Sequence, residues 1–217
     1  MSSFRADPET VKRALRISYL GARSDQTSKL IDGFAALLGH FQSPVIDVHN
    51  LIQETVNYIH RQFRLRWAMI GLRGNDGNYR YEVMSGMRPE SWEWQRARTY
   101  KKEAFALAVE GFYNAGEVSR LTRIYLEEEN PLSQDDTRVV NRPFLLKSNR
   151  KSPDDTLEAD FIDTLIMNNN NDLLGWIEYS GTVTGKMPDA MTIRYIELIS
   201  AILAAAISTQ HHGSFHG

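Results

Sequence analysis

The chain has 217 residues, of which 42% are hydrophobic and 24% are charged, a balance typical of globular proteins and too apolar for a disordered one. Its 25 Lys and Arg residues nearly balance its 27 Asp and Glu residues, so the net charge gives no general attraction to nucleic acid or to an anionic membrane. The sequence contains no cysteine. Disulfides, thiolate metal sites, cysteine nucleophiles and thioether-linked cofactors are therefore excluded.

The N-terminal sequence MSSFRADPETVKRALR has no apolar run of the kind found in secretory signals. No stretch of the chain approaches the roughly 18 apolar residues that a membrane-spanning helix needs. We therefore expect a cytoplasmic protein with no membrane partner.

Helical periodicity dominates the first third of the chain. Apolar residues recur at steps of three to four from Leu30 to Phe41 and from Val45 to Phe63, which predicts two amphipathic helices. A shorter helix is predicted at Val11–Leu20. We expect residues 1–43 to form an N-terminal helical extension that precedes the main domain at residues 44–210.

The periodicity then changes to that of β-strands. The segment Leu65–Gly74 is short and apolar and runs into the sequence Gly-Asn-Asp-Gly-Asn, which predicts a hairpin. In the returning strand, we expect Tyr79, Tyr81 and Val83 to share one face. A helix or a pair of helices is predicted next, over Pro89–Val109.

Strands and a long polar loop make up most of the second half. The segment Asn130–Leu157 is rich in polar residues, and we expect it to be a functional flap or a disordered excursion. A closing helix with a sustained apolar stripe is predicted over Pro188–Gln210, followed by a flexible tail at residues 211–217. The strands predicted in this half are Ser119–Glu129, Ala159–Met167 and Leu173–Ser180.

This order of elements predicts an α+β fold, in which an antiparallel sheet buries one face against helices. The order, together with the sequence GWIEYSGTVTGKMPDAMTIRYIELISAILAAAIS, resembles the GAF family of sensory ligand-binding domains. The resemblance covers about Val45 to Gln210 and implies a GAF-like sheet packed against N- and C-terminal helices. The residues that carry its C-terminal part are Gly175, Ile177, Pro188, Asp189, Leu198, Ile202 and Ala206.

The resemblance implies a regulatory domain that binds a small molecule on the sheet face opposite the terminal helices. Because domains of this family often pair through those helices, it also implies a homodimer. The Asn, Lys, Phe, Asp and Glu signature of the cyclic-nucleotide-binding members is not recognisable here, and the lack of cysteine removes the common attachment of a bilin. The sequence identifies no cofactor.

The residues predicted to line the pocket are Trp92, Trp94, Arg123, Tyr125, Asp163 and Met167. Polar groups among apolar walls are typical of small-molecule sites. Arg123 is suited to hold a carboxylate or a phosphate with two hydrogen bonds, and the aromatic rings are suited to cover a planar ligand. An equal alternative is a cross-strand ion pair between Arg123 and Asp163 on a solvated face.

The closing helix is apolar over more than one narrow face, which predicts that a partner helix covers it. The two predicted helices at Leu30–Phe41 and Val45–Phe63 are candidates within the chain. A second subunit is the other candidate, and we prefer a symmetric homodimer.

Other chemistries have little support in the sequence. The glycine spacing in Ser180–Met187 does not match a phosphate-binding loop. His49 and His60 lie about three turns apart on one predicted helix, so they cannot share a metal ion. The segment Trp92–Lys102 is aromatic and basic, but glutamates interrupt it, which argues against a nucleic-acid partner.

These observations favour a non-catalytic sensory or regulatory domain that signals through its terminal helices to a separate protein or across a dimer. The first alternative is a dimeric interaction scaffold that binds no ligand. The second is an enzyme that uses Asp163, Glu178 or the loop at residues 130–157 for acid–base catalysis.

Overall fold

The fold is an antiparallel sheet with long helices on one face, as the sequence predicted. One further, short helix lies on the opposite face. The computed structural model describes residues 12–18, 26–43, 46–103, 115–132, 135–146 and 149–213.

The predicted helices are present within the described residues. The helix α3, at Val48–Gln62, begins after its N-cap Asp47, whose carboxylate accepts a hydrogen bond from the Asn50 backbone N–H at 3.0 Å. The helix α5, at Ala190–Gly213, includes the first three residues of the predicted tail, and residues 214–217 lie outside the described ranges. The helices are α1 at 12–18, α2 at Gln26–Gly39, α3 at Val48–Gln62, α4 at Pro89–Arg96 and α5 at Ala190–Gly213.

Six strands form one sheet in the order β2-β1-β6-β5-β4-β3, and all neighbours are antiparallel. The sequence predicted every strand except β3, because a three-residue edge strand is too short to show alternation. The strands are β1 at Ala68–Arg73, β2 at Tyr79–Ser85, β3 at Ala115–Glu117, β4 at Thr122–Tyr125, β5 at Phe161–Met167 and β6 at Leu173–Tyr179.

The main hydrophobic core lies between the sheet and the helices α2, α3 and α5. Ile196 and Ile199 of α5 are fully buried in it. Tyr195 contacts Phe34 of α2 and Phe63, the C-cap residue of α3, with ring centroids 5.8 and 6.2 Å apart. The helix α2 is therefore part of the same core as the predicted main domain, and it covers part of α5 within the chain.

The β1–β2 hairpin corrects one prediction. Val83 pairs with Ile70, whereas Tyr81 pairs with the very next residue of β1, so Glu82 is an extra residue on β2. Such a β-bulge reverses the alternation of side chains beyond it. Val83 consequently packs in the helical core, whereas Tyr79 and Tyr81 lie on the opposite face.

The helix or helix pair predicted over Pro89–Val109 starts with α4 in the structure. The helix α4 ends at Arg96, and Tyr100 then forms a β-bridge with Tyr79, through backbone hydrogen bonds of 2.8 and 2.9 Å. This bridge places the chain after α4 beside the β2 edge of the sheet. The remainder of the prediction, from residue 104 onward, lies outside the described residues.

The predicted flap at Asn130–Leu157 is anchored in its described parts. Val140 is buried in the domain. Arg150 donates hydrogen bonds to both carboxylate oxygens of Asp160 at 3.0 Å and pairs with Glu128 at 2.8 Å. These contacts argue against a freely moving flap.

By length and composition, the segment Ala190–Thr209 of α5 also meets the requirements of a membrane span, which the sequence analysis did not anticipate. Its inward face, which includes Ile196, Ile199 and Leu203, is fully buried in the core beside the sheet. A core helix satisfies the same length and composition requirement, so this segment alone does not indicate a membrane protein.

Candidate ligand-binding site

A second hydrophobic cluster covers the sheet face opposite α2, α3 and α5. It is built from side chains that alternate with the core-facing ones: on β5, Ile162 and Ile166 face the helices, whereas Leu165 belongs to the second cluster. We call it the aromatic cluster. Its buried members are Trp67, Met69, Tyr79, Tyr81, Met87, Leu165 and Trp176.

A row of polar residues crosses the same face of the sheet. Asp163 of β5 lies directly opposite Glu178 of β6 and also opposite Arg123 of β4. Glu178 in turn lies opposite Met69 of the aromatic cluster. Because directly opposed residues of antiparallel strands project from the same face, the two carboxyl groups are neighbours. Asp163 is 9% exposed and Glu178 is 7% exposed.

Glu178 is held by hydrogen bonds from the aromatic cluster. The Tyr81 hydroxyl donates to Glu178 Oε2 at 2.5 Å, and the Trp176 indole also donates to the carboxylate. Burial raises the pKa of Glu178 to about 7, whereas these two hydrogen bonds and the positive charge of Arg98 act in the opposite direction. The charge of Glu178 is therefore partly compensated within the chain.

Asp163 lacks comparable compensation. Among the described residues, none donates a hydrogen bond to its buried Oδ1 atom. Burial, and next the repulsion from the Glu178 carboxylate, raise the pKa of Asp163 well above its usual value. A buried polar atom without a hydrogen-bond partner is costly, so Asp163 Oδ1 marks the point at which this face, among the described residues, is chemically incomplete.

Arg123 does not form the alternative ion pair with Asp163, although the two residues are opposed. Its guanidinium donates hydrogen bonds to the carbonyl oxygens of Ser119 and Thr122 and lies 4.0 Å from Glu117 Oε1. The guanidinium is therefore held at the β3–β4 turn. The predicted solvated pair is not formed, because Asp163 is buried and Arg123 is bound elsewhere.

Aromatic rings surround the hydrogen-bonded end of Glu178. Tyr81 and Trp176 meet edge to face, with ring centroids 4.9 Å apart. The Tyr100 ring lies 6.1 Å from each of them, also edge to face. The β-bridge after α4 therefore places Tyr100 beside this site, whereas the sequence predicted that Tyr100 belongs to a helix or a helix pair.

Two other predicted site residues lie on the same face of the sheet. Tyr125 is buried and stacks on Phe161, with ring centroids 4.4 Å apart. Met167 is half-buried and packs against the aromatic cluster. The alternation along β4 and β5 thus brings these residues to the face that also carries Asp163.

The two tryptophans of α4 differ in their surroundings. Trp92 packs against the aromatic cluster and helps to fix α4 on the sheet. Trp94 is 44% exposed, and the guanidinium carbon of Arg138 lies 4.9 Å from its ring centroid, a cation–π contact. The predicted role of Trp94 in the pocket is therefore not supported by its position.

The residues around Glu178 were only partly predicted from the sequence. Tyr81 and Trp176 were not among the predicted site residues, and Glu178 was considered only as an acid–base group for the enzyme alternative. The sequence Trp-Ile-Glu-Tyr at residues 176–179 contained one signal for this site. Trp176 and Glu178 are two positions apart on a predicted strand, so their side chains project from the same face of the sheet.

Other places in the described residues are weaker candidates for a ligand-binding site. A cavity of about 360 Å³ between the turn at residues 168–170 and α5 is lined by asparagine, alanine, serine and methionine, without a charged side chain. Lys186, in the loop whose glycine spacing does not match a phosphate-binding loop, pairs with Asp154 and Asp155 at 3.1 and 2.7 Å. In the described ranges, no group of three His, Asp or Glu side chains is placed to hold a metal ion.

Comparison with solved structures agrees with the fold. The GAF domain of an Acinetobacter phosphoenolpyruvate-protein phosphotransferase aligns over 87% of this chain and 96% of its own, with a TM-score of 0.52 and 12% identity. A phycoerythrobilin-bound GAF domain from a cyanobacterial phytochrome aligns over 89% and 98%, with a TM-score of 0.53 and 13% identity. A GAF domain/HD domain protein from Geobacter sulfurreducens aligns over 76% and 94%, with a TM-score of 0.53 and 10% identity.

No family profile and no curated protein matches the sequence, so the structural likeness defines the fold. The sheet order and the placement of the long helices on one face define a single-sheet α+β domain. Within that class, the chain has the fold of GAF domains, as the sequence resemblance predicted.

Proposed function

We propose that this protein is a non-catalytic, cytoplasmic sensory domain that binds a small molecule on the sheet face opposite α2, α3 and α5. One observation carries the proposal: the aromatic cluster on this face adjoins two buried carboxyl groups, and Asp163 Oδ1 has no hydrogen-bond donor among the described residues. A face that served packing alone would gain nothing from such a group. Convergent polar groups on an apolar surface are typical of ligand sites.

The likeness to GAF domains supports the location of the site. One structural neighbour is a GAF domain with bound phycoerythrobilin. Since this chain has no cysteine, its own ligand is held by noncovalent contacts or through another residue type. We propose that this ligand is a small molecule that aromatic rings and carboxylates recognise together.

A route for the signal runs from the site to α5. Asp163 and Thr164 are adjacent on β5 and face opposite sides of the sheet. Thr164 contacts Thr122 across the strands at 3.1 Å, and Thr122 donates a hydrogen bond to Glu197 of α5 at 2.8 Å. A ligand that binds one position of β5 more tightly than another will therefore shift α5 as well.

The outer surface of the helical layer supports the homodimer within this proposal. Ile31 and Leu38 of α2 and Met191 and Leu198 of α5 are each about half exposed or more, from 49% to 61%. In both helices the two residues are seven positions apart, so they lie on one side of the helix. A second copy of the chain would cover this apolar surface and receive the movement of α5.

The test is ligand binding by the purified full chain. Native mass spectrometry should detect a retained small molecule, and at least one compound of a metabolite panel should raise the melting temperature in a saturable way. Tyr81→Phe should weaken that response, because Tyr81 contacts the site through Glu178. Tyr58→Phe is the matched control, since the Tyr58 hydroxyl bonds to the Leu30 carbonyl in the helical layer. No retained molecule and no responsive compound would contradict the proposal.

The exposed apolar surface on α2 and α5 also favours a second candidate, a dimeric interaction scaffold that binds no ligand. A scaffold would bind its partner equally well with Tyr81 or Phe at position 81. The sensor should instead lose ligand-dependent control in the Tyr81→Phe variant.

A further inference from the structure

We propose that the ligand of this site carries a protonated amine, which binds between Asp163 and the neighbouring rings of the aromatic cluster. This inference rests on the proposed function and names the chemical class of the ligand. It replaces the prediction from the sequence that Arg123 holds a carboxylate or a phosphate.

The Oδ1 atom of Asp163 is the first observation. Asp163 is 9% exposed, and its Oδ1 atom receives no hydrogen bond from the described residues. Asp163 shares a strand face with Leu165 of the aromatic cluster, so its side chain projects toward that cluster. A donor that also carries a positive charge would supply the missing hydrogen bond and would favour the ionised form of the carboxyl group.

No cation of the described chain takes this position. Arg123 is the residue opposite Asp163, but its guanidinium is bound to the carbonyl oxygens of Ser119 and Thr122. Arg98 acts electrostatically on Glu178. Among the ion pairs of the described residues within 4.0 Å, none includes Asp163.

The aromatic rings supply the second half of an ammonium site. Tyr81, Tyr100 and Trp176 lie within 4.9 to 6.1 Å of one another beside Glu178. The faces of such rings attract cations, and the attraction is stronger where water is excluded. An aryl or alkyl group attached to the amine would contact the same rings and the neighbouring Met69.

The same arrangement disfavours an anion. Asp163 and Glu178 are directly opposed neighbours, so a ligand carboxylate or phosphate on this face would meet two acidic groups. The one guanidinium expected to hold it is already hydrogen-bonded at the β3–β4 turn. The electrostatics of the face therefore select a cation over an anion of similar shape.

The experiment compares three probes of similar size with the full chain: phenethylammonium, neutral 2-phenylethanol and anionic phenylacetate. Thermal shift and isothermal titration measure binding. Phenethylammonium should bind, the other two should not, and Asp163→Asn should weaken binding at least about tenfold. Glu82→Gln is the control, because it removes an exposed carboxylate from the bulge of β2.

Asp163→Asn replaces a buried carboxyl group with an uncharged amide of similar size, so the variant should remain folded, and its melting temperature is measured alongside. Equal binding of 2-phenylethanol, binding retained in Asp163→Asn, or no binding of phenethylammonium would overturn the inference. The sensor proposal fails separately, if native mass spectrometry finds no retained molecule and the metabolite panel, which includes neutral and anionic compounds, gives no response.

Discussion

Trp176 of β6 lies over Gly71 of β1, its directly opposed neighbour in the sheet. A Cβ atom on Gly71 would lie 2.2 Å from Cη2 of the Trp176 ring and 2.5 Å from two further ring atoms. Trp176 is 1% exposed and has little space into which to move. The missing side chain at position 71 therefore allows the indole to occupy its place beside Glu178.

Gly71→Ala should destabilise the fold by about 1–3 kcal/mol, because the added methyl group displaces a rigid buried ring. Urea unfolding gives the free energy of unfolding, and near-ultraviolet circular dichroism should report the altered tryptophan environment. Gly39→Ala is the control, since a Cβ there meets nothing within 4 Å, and we expect it to be neutral or slightly stabilising. Equal effects of the two variants would contradict the proposed packing of Trp176 on Gly71.

The buried pair Asp163 and Glu178 predicts a particular dependence of stability on pH. Both pKa values are raised in the folded state, mainly by burial. The folded protein therefore holds protons that the unfolded chain has already released. The stabilisation from the protonated pair is present below the unfolded pKa values, about 4, and is lost as the pH rises through the folded values. For Glu178 the folded value is about 7.

Asp163→Asn should remove much of this loss of stability at rising pH. Relative to the unmodified chain, the variant should be more stable by about 1–3 kcal/mol at about pH 8, and the difference should shrink towards about pH 5. Facing the pair are Arg123 from β4, Tyr81 from β2 and Arg98 from the segment after α4. Urea unfolding at both pH values measures the difference, and a constant difference across the range would contradict the assignment.

Much of this fold could be predicted from local sequence patterns, because each long element has its own periodicity. The alternation of β5 placed Asp163 and Met167 on one face without any knowledge of their neighbours. The bulge at Glu82 could not be predicted in this way, because it depends on the pairing between β1 and β2. The alternation of residues along β2 alone does not reveal that β2 has an extra residue relative to β1.

The candidate site required the same long-range information. That Asp163 meets Glu178 follows from the register of β5 and β6, and that Arg123 is unavailable follows from the β3–β4 turn. Residue types alone favoured the opposite interpretation, an arginine that binds an anion. Trp94 was assigned to the pocket by its aromatic ring, although its side chain is exposed beside Arg138.

The loop before β5 provides a test of anchoring by buried charge. The Asp160 carboxylate is 1% exposed and accepts hydrogen bonds from the backbone N–H groups of Glu127 and Leu157 at 2.9 and 2.6 Å, in addition to those from Arg150. Arg150→Met should therefore leave a buried carboxylate without its counter-charge, at a cost of about 1–3 kcal/mol. Hydrogen exchange should become faster at Leu157 and Asp155, whose amides are bonded within this loop.

Arg80→Met is the matched control for this variant. Arg80 pairs with Asp76 at 2.5 Å, but the two side chains are 36% and 48% exposed. Solvent screens an exposed pair of this kind, so the control should change stability little. Unchanged exchange at residues 149–157 in the Arg150→Met variant would show that apolar packing, not the Arg150–Asp160 pair, holds the loop.

The exposed apolar surface on α2 and α5 predicts how the proposed homodimer can be dissociated. Leu198 is 49% exposed on α5, and Leu198→Glu would place a carboxylate from each subunit into the buried interface of the dimer. Because desolvating these charges is unfavourable, we expect the dissociation constant to rise at least about tenfold. Light scattering after size-exclusion chromatography measures the mass of the particle as the protein is diluted. Val183→Glu is the control, since Val183 is similarly exposed, at 53%, in the loop between β6 and α5. A monomeric unmodified chain would exclude the homodimer. Equal dissociation by both variants would place the dimer interface elsewhere.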